Sequence, residues 1–83
     1  MPVSFHPHAL ERMQERGATV TEVQEAIAEG EQFPAKFGRT GFRRNFSFNG
    51  KWRGKHYNTK QVEVYAVPEG SDWLVITIIT RFF

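Results

Sequence analysis

An α+β fold, with two N-terminal helices packed on a roughly four-stranded antiparallel sheet, follows from three features of this 83-residue chain. Helix start and stop signals bracket two apolar stripes between Pro7 and Gly30. From Gln32 onward the apolar period changes from helical to alternating. Turn residues then punctuate the alternating part at short spacing, which joins neighbouring strands directly rather than through crossover helices. A chain of this size buries only about 60% of the surface its unfolded form exposes, so residues 1–83 read as one domain around one core.

The elements follow in order. Pro7 suits the first turn of a helix, where its missing N–H would have no partner anyway, and Gly17 suits the left-handed stop. Ala9, Leu10 and Met13 supply a buried stripe, while His8, Arg12 and Arg16 recur at i, i+4 and i+8 along a neighbouring face. Thr19 followed by Glu22 forms a capping box, Val20, Val23, Ala26 and Ile27 give the second stripe, and Gly30 ends that helix. Pro34 confines its segment to an edge strand or a connection. Asn49-Gly50 between "RRNFSF" and "KWRGKHY" predicts a hairpin with a type I′ turn. The alternation sends Phe42, Arg44, Phe46 and Phe48 to one face and Arg43, Asn45 and Ser47 to the other, with the three Phe expected in the core. Val62, Val64 and Ala66 point inward along the next strand, and "PEGSD" turns the chain into the closing "WLVITIITRFF".

Composition narrows the function classes. Without cysteine there is neither a disulfide framework nor a thiolate metal site. The longest apolar run is far below the roughly 20 residues of a membrane span, and no signal-peptide pattern opens the chain, so a soluble domain with no membrane partner is expected. Net charge is only +2, but its placement is uneven. All nine acids lie in Glu11–Glu31 or Glu63–Asp72, and eight of the eleven Lys and Arg residues fall in the acid-free interval between them. Gly41–Gln61 alone holds Arg43, Arg44, Lys51, Arg53, Lys55 and Lys60 with His56 and five aromatic rings. A polyanion is the natural partner of such a segment: Arg43, Arg44, Arg53 and Lys55 suit phosphates, and Trp52, Tyr57 or Phe46 suit stacked bases.

Phosphodiester cleavage needs a base, an acid and positive charge at phosphorus. Metal-dependent routes use clustered carboxylates, which the basic segment lacks, so no metal or cofactor is expected. The metal-free route uses the RNA 2′-OH as nucleophile and asks only for side chains such as His, Lys, Arg, Tyr and Thr. His8, at a helix start with Arg12 one turn on, is the preferred base. His56, within Lys55-His56-Tyr57, is a candidate for the opposite member of the pair. Thr77 and Thr80 fall on opposite sides of the last strand, and Thr80, beside Arg81, is preferred for a site.

The stretch "HALERMQERGATVTEVQEAIAEGE" resembles the opening of an uncharacterised bacterial domain family, DUF4258, which reads His-Ala-x-x-Arg-Met-x-x-Arg-Gly before a Ser or Thr cap and a second helix. His8, Ala9, Arg12, Met13, Arg16, Gly17 and Thr19 match, and "WLVITIIT" is similar to the family's last strand. That family in turn resembles the barnase, EndoU, colicin and RelE ribonuclease superfamily, whose small toxins cut RNA without metal on a helix-then-sheet fold. The resemblance implies a helix-borne pair, His8 and Arg12, and a Thr near the end of the last strand, Thr80. RelE-like members work with Lys, Arg and Tyr, which keeps Lys55 and Tyr57 in the catalytic set. Arg16, Arg43, Arg44, Trp52, Arg53, His56 and Lys60 complete the expected RNA contacts.

The expectation is therefore a metal-independent endoribonuclease toxin domain that acts on tRNA or ribosome-associated mRNA and leaves a 2′,3′-cyclic phosphate. Its partners would be RNA and a neutralising acidic antitoxin or immunity protein over the basic hairpin. It would be a monomer when free and act in the cytoplasm, either as a free-standing toxin or as the C-terminal tip of a larger secreted one. Two rival classes use the same patch: a non-catalytic RNA-binding module, and a protein-interaction or immunity-type domain.

Overall fold

The computed structural model describes residues 2–83. In chain order they form β1 (Val3–Phe5), α1 (Pro7–Arg16), α2 (Val20–Glu29), β2 (Glu31–Pro34), a single 3-10 turn (Lys36–Gly38), β3 (Thr40–Trp52), β4 (Lys55–Glu69) and β5 (Asp72–Phe82). The strands make one sheet in the order β1-β5-β4-β3-β2, with both helices on one face. β2 to β5 are antiparallel neighbours, as expected. The fifth strand was not expected: β1 pairs parallel to β5, Val3 opposite Trp73 and Phe5 opposite Val75, so the sheet is mixed.

Local chemistry sets both helices. The His6 ring nitrogen accepts from the His8 amide at 3.1 Å as the N-cap of α1, Pro7 occupies the first turn, and Gly17 closes the helix at φ 73° with its N–H on the Met13 carbonyl. The capping box of α2 is complete: Thr19 Oγ accepts from the Glu22 amide at 3.1 Å and the Glu22 carboxylate accepts from the Thr19 amide at 2.9 Å. Ala9, Met13, Val23 and Ala26 descend from the helices onto Phe42, Val62, Val64, Ala66, Val75 and Ile78. Burying each of the larger aliphatic side chains contributes about 1.5–3 kcal/mol. Leu10, expected in this stripe, is exposed instead. α1 packs chiefly on β5, which leaves room for a narrow stripe of Ala9 and Met13 and turns Leu10 outward.

The hairpin turns elsewhere than expected. β3 continues through Asn49-Gly50, which forms a bulge between the Ser47–Thr59 and Gly50–Tyr57 pairs. The chain reverses at Arg53-Gly54, at φ 52° and 84°, the two positive values of a type I′ turn. The physical reason lies on β5. Trp52 stacks on Phe82 at 5.1 Å and 11°, and Phe48 and Tyr57 pack on the same ring at 5.1 and 5.6 Å. A turn at Asn49-Gly50 would carry Trp52 back opposite Ser47 and dismantle that cluster. Of the three Phe expected inside, Phe42 is buried, whereas Phe46, packed against the edge of the core, and Phe48, packed on Phe82, stay half-buried.

Register sorts the sheet residues into two faces. Under the helices lie the rows Phe42–Val64–Ile78, Arg44–Val62–Thr80 and Phe46–Lys60–Phe82. On the helix-free face lie Gly41–Tyr65–Thr77, Arg43–Glu63–Ile79 and Asn45–Gln61–Arg81. Among the described residues no helix is long and apolar enough to cross a membrane.

Candidate active site

α1 separates the residues expected to act together. Its start is fastened near β1 by the His6 amide on the Val75 carbonyl at 2.9 Å. Its end meets the hairpin tip, where the Arg53 guanidinium donates to the Glu15 carbonyl at 2.9 Å and the Trp52 ring lies against Gly17. Eight helical steps, about 12 Å of rise, separate His8 from Arg16. His8 thus sits at the opposite end of α1 from Lys55, His56 and Tyr57, and the structure does not bring the two groups together. Arg12 is taken by Glu15 at 2.9 Å.

Several other residues expected at the site instead join helix to sheet. Thr80 Oγ donates to the Arg16 carbonyl at 2.7 Å, and Arg16 donates to the Ile78 carbonyl. Arg16, Trp52, Arg53 and Thr80 line a shallow cavity of about 380 Å³ at that seam. Lys60 is only 4% exposed, and its ammonium is held by the Gly17 carbonyl and by Glu22 at 2.7 Å. That leaves Lys60 no surface to offer a phosphate.

Folding also undoes much of the charge segregation seen in the linear chain. Glu29 pairs with Arg44, Glu22 with Lys60, and Glu31 with Arg43 at 3.0 Å. Lys51, Arg53 and Lys55 at the hairpin tip have no carboxylate partner among the described residues. Arg53 lies over Trp52 and Lys55 over Tyr57, at 5.3 and 5.6 Å from the ring centroids. The tip therefore keeps the pairing of cation and ring that suits single-stranded nucleic acid.

The helix-free face carries a second constellation, which sequence reasoning missed. Glu63 is 3% exposed, although no element covers its face. One carboxylate oxygen accepts from the Tyr65 hydroxyl at 2.8 Å. The other meets the Arg81 guanidinium and lies 3.5 Å from Arg43 Nε, an ionic contact without hydrogen-bond geometry. Arg43 also lies over the Phe33 ring at 4.6 Å and reaches Glu31, so its guanidinium is fixed from three sides. A tyrosine phenol is protonated at neutral pH in any case; here burial, the hydrogen bond to Glu63 and the charge of Glu63 hold Tyr65 above its ordinary value. A carboxylate, two guanidiniums and a neutral phenol on one sheet face provide a proton acceptor, phosphate-binding charge and a proton donor within touching distance. The hairpin expected from Asn49-Gly50 would have set Arg43 opposite His56; only the observed register, turned at Arg53-Gly54, sets Glu63 directly opposite Arg43, so the sequence carried no signal for it.

A family model described as "Domain of unknown function (DUF4258)" matches residues 5–80. The chain belongs to the DUF4258 family. The match extends the helical signature through the hairpin and into β5, so this DUF4258 domain includes Arg43, Glu63 and Tyr65 within the matched span, while Arg81 lies one residue beyond it. No curated protein and no solved structure matches the chain.

Proposed function

We propose that this DUF4258 domain is a metal-independent endoribonuclease whose reacting groups lie on the helix-free face, with the hairpin tip as its RNA-binding arm. The observation that carries the reading is Glu63, a buried carboxylate between two guanidiniums and a phenol. Glu63 accepts the proton of the RNA 2′-OH as that oxygen bonds to phosphorus. Arg43 and Arg81 take up the charge that builds on the phosphoryl oxygens. As the bond from phosphorus to the 5′ oxygen breaks, Tyr65 gives its proton to the leaving oxygen and regains one from Glu63 through the hydrogen bond they share. The products are a 2′,3′-cyclic phosphate and a free 5′-OH. Arg81 and Arg43 side chains are 58% and 37% exposed, so an incoming phosphate can compete with Glu63 for them.

The likeness of the family to the barnase and RelE superfamily supports the same chemistry and the same classes of target, tRNA or ribosome-associated mRNA. It also supports an acidic neutralising protein as partner, for which the unpaired tip cations Lys51, Arg53 and Lys55 offer complementary charge.

Total tRNA or ribosomes incubated with the protein in EDTA should yield 2′,3′-cyclic phosphate ends, and a 2′-deoxy nucleotide 5′ to the scissile phosphate should stop the reaction. Glu63→Gln should lower turnover by roughly two to four orders of magnitude, the usual worth of a positioned base, while His8→Ala stays within a few-fold of the wild type. Full turnover in a folded Glu63→Gln protein would overturn the assignment. Loss of turnover in His8→Ala alone would return the site to the start of α1. RNA binding without cleavage in any condition favours the RNA-binding module, whose contacts are the hairpin tip.

A further inference from the structure

We infer that the loop between β2 and β3, with Phe33, Tyr65 and Thr77 behind it, is a nucleobase-binding subsite for a nucleotide whose phosphate lies toward Arg43; the choice of ligand rests on the RNA reading above. A cavity of about 570 Å³ opens here, bounded by Phe33, Lys36, Phe37, Arg39, Tyr65 and Thr77. That size falls within the roughly 300–1,000 Å³ common for small-ligand sites.

One wall is aromatic and packed tightly on the sheet. Gly41 has no Cβ, and the Phe33 ring fills that space, passing within 2.3 Å of where a Cβ would be. The ring stands edge-on to Tyr65 at 6.1 Å and 84°. Its other flank is covered by Arg43, the guanidinium that also faces Glu63. Tyr65 is a shared wall: it lines the cavity, and its hydroxyl reaches Glu63. A base held in the cavity thus leaves its ribose and phosphate beside the proposed reacting groups.

The rim gives an independent sign. Phe37 is 87% exposed and sits at φ 62°, ψ 35°, a left-handed conformation that a bulky residue adopts only at a cost in free energy. Its ring meets a cation, Arg39, at 5.9 Å, and enters no core cluster. The conformation is imposed by backbone bonds from the Ala35 amide to the Arg39 carbonyl at 3.0 Å and from the Arg39 amide to the Lys36 carbonyl at 3.2 Å. A strained aromatic ring displayed to solvent does nothing for the fold, but it provides a stacking platform for a base. Lys36 and Arg39 have no carboxylate partner among the described residues and flank that platform, so the rim complements an aromatic anion.

The test reads binding separately from cleavage. Each of the four nucleoside 3′-monophosphates is titrated into the whole Glu63→Gln chain and followed by NMR, with unphosphorylated nucleoside and inorganic phosphate as parallel arms. The nucleotides should shift signals of residues 33–41, Tyr65 and Thr77; the nucleoside should shift the same signals more weakly, and phosphate only those near Arg43. Phe37→Ala should weaken nucleotide binding by about tenfold or more, the worth of one stacked base. Phe37→Gly should weaken it as much while raising Tm, because glycine takes the left-handed conformation freely. Unchanged affinity in both variants, or shifts confined to the hairpin tip, would overturn the subsite. Phe37-dependent binding in a protein that cleaves no RNA would uphold the subsite and sink the nuclease. RNA cleavage with a KM indifferent to Phe37 would do the reverse.

Discussion

Neighbouring residues of β4 are buried by different means. Val62, Val64 and Ala66 are covered by two helices, whereas Glu63, on the face with no covering layer, is hidden by the guanidiniums and the phenol it attracts. The first kind of burial draws on apolar area removed from water and holds wherever the fold holds. The second exists only while the charges stay paired, and an anionic ligand competing for Arg43 and Arg81 can reopen it. One strand thus carries apolar burial on one side and a ligand-sensitive charge cluster, the proposed reacting groups, on the other.

The largest loss is expected on the helix side. Ile78 is fully buried beneath the helices, and Ile78→Ala should cost about 2–5 kcal/mol, a large part of what a small domain possesses. Chemical denaturation measures it, with RNA cleavage per folded molecule unchanged; a cost under about 1 kcal/mol would mean that the helix face is not where stability resides. A smaller loss belongs to the seam between helix and hairpin. Gly17 is at φ 73°, and a Cβ there would come within 2.6 Å of the Trp52 ring, so Gly17→Ala should cost roughly 1–3 kcal/mol and disturb Trp52 fluorescence in a thermal melt. An alanine accepted without loss would show that the ring yields.

The smallest effect sharpens the helix-free side. Because Tyr65 ionises above its ordinary value in the fold, its contribution to stability is complete at neutral pH and disappears as pH rises through the folded value. Glu63→Gln removes a negative charge and weakens the accepting hydrogen bond, so the phenol should move down toward its ordinary value, with the part due to burial remaining. Ultraviolet titration of tyrosinate reads this directly. An unmoved Tyr65 would mean that burial alone sets its ionisation and that the two side chains do not exchange protons.

The parts of the fold visible in the chain are those decided within a few residues. Pro7, Gly17 and the Thr19–Glu22 box fix helix ends through bonds to their own neighbours, so both helices begin and end where the sequence places them. β1 left no such sign: three residues show no period, and their partner lies some 70 residues away in sequence. At Asn49-Gly50 the local preference was real but lost to the aromatic cluster on Phe82, which no local rule contains. The acid-free interval was a property of the line of letters, since Glu22, Glu29 and Glu31 return to it in space. Glu63 counted in the sequence as one of the flanking acids, and only strand register placed it against Arg43.

The sheet ends in strands of three and four residues, β1 and β2, one of them closed by Pro34, while the strands they border run to 11 and 13. Beyond Arg43 on β3 and beyond Val75 on β5, the outer margins therefore run without a strand partner among the described residues. Bare margins of this kind invite edge-to-edge association with other copies, and charged side chains are the usual deterrent. Arg44 and Lys51 stand on one of these margins and Arg81 on the other, charges of the kind that discourage such pairing. Neutralising the hairpin to test the proposed nucleic-acid binding would strip such charges, and the resulting variant should be handled as one inclined to aggregate.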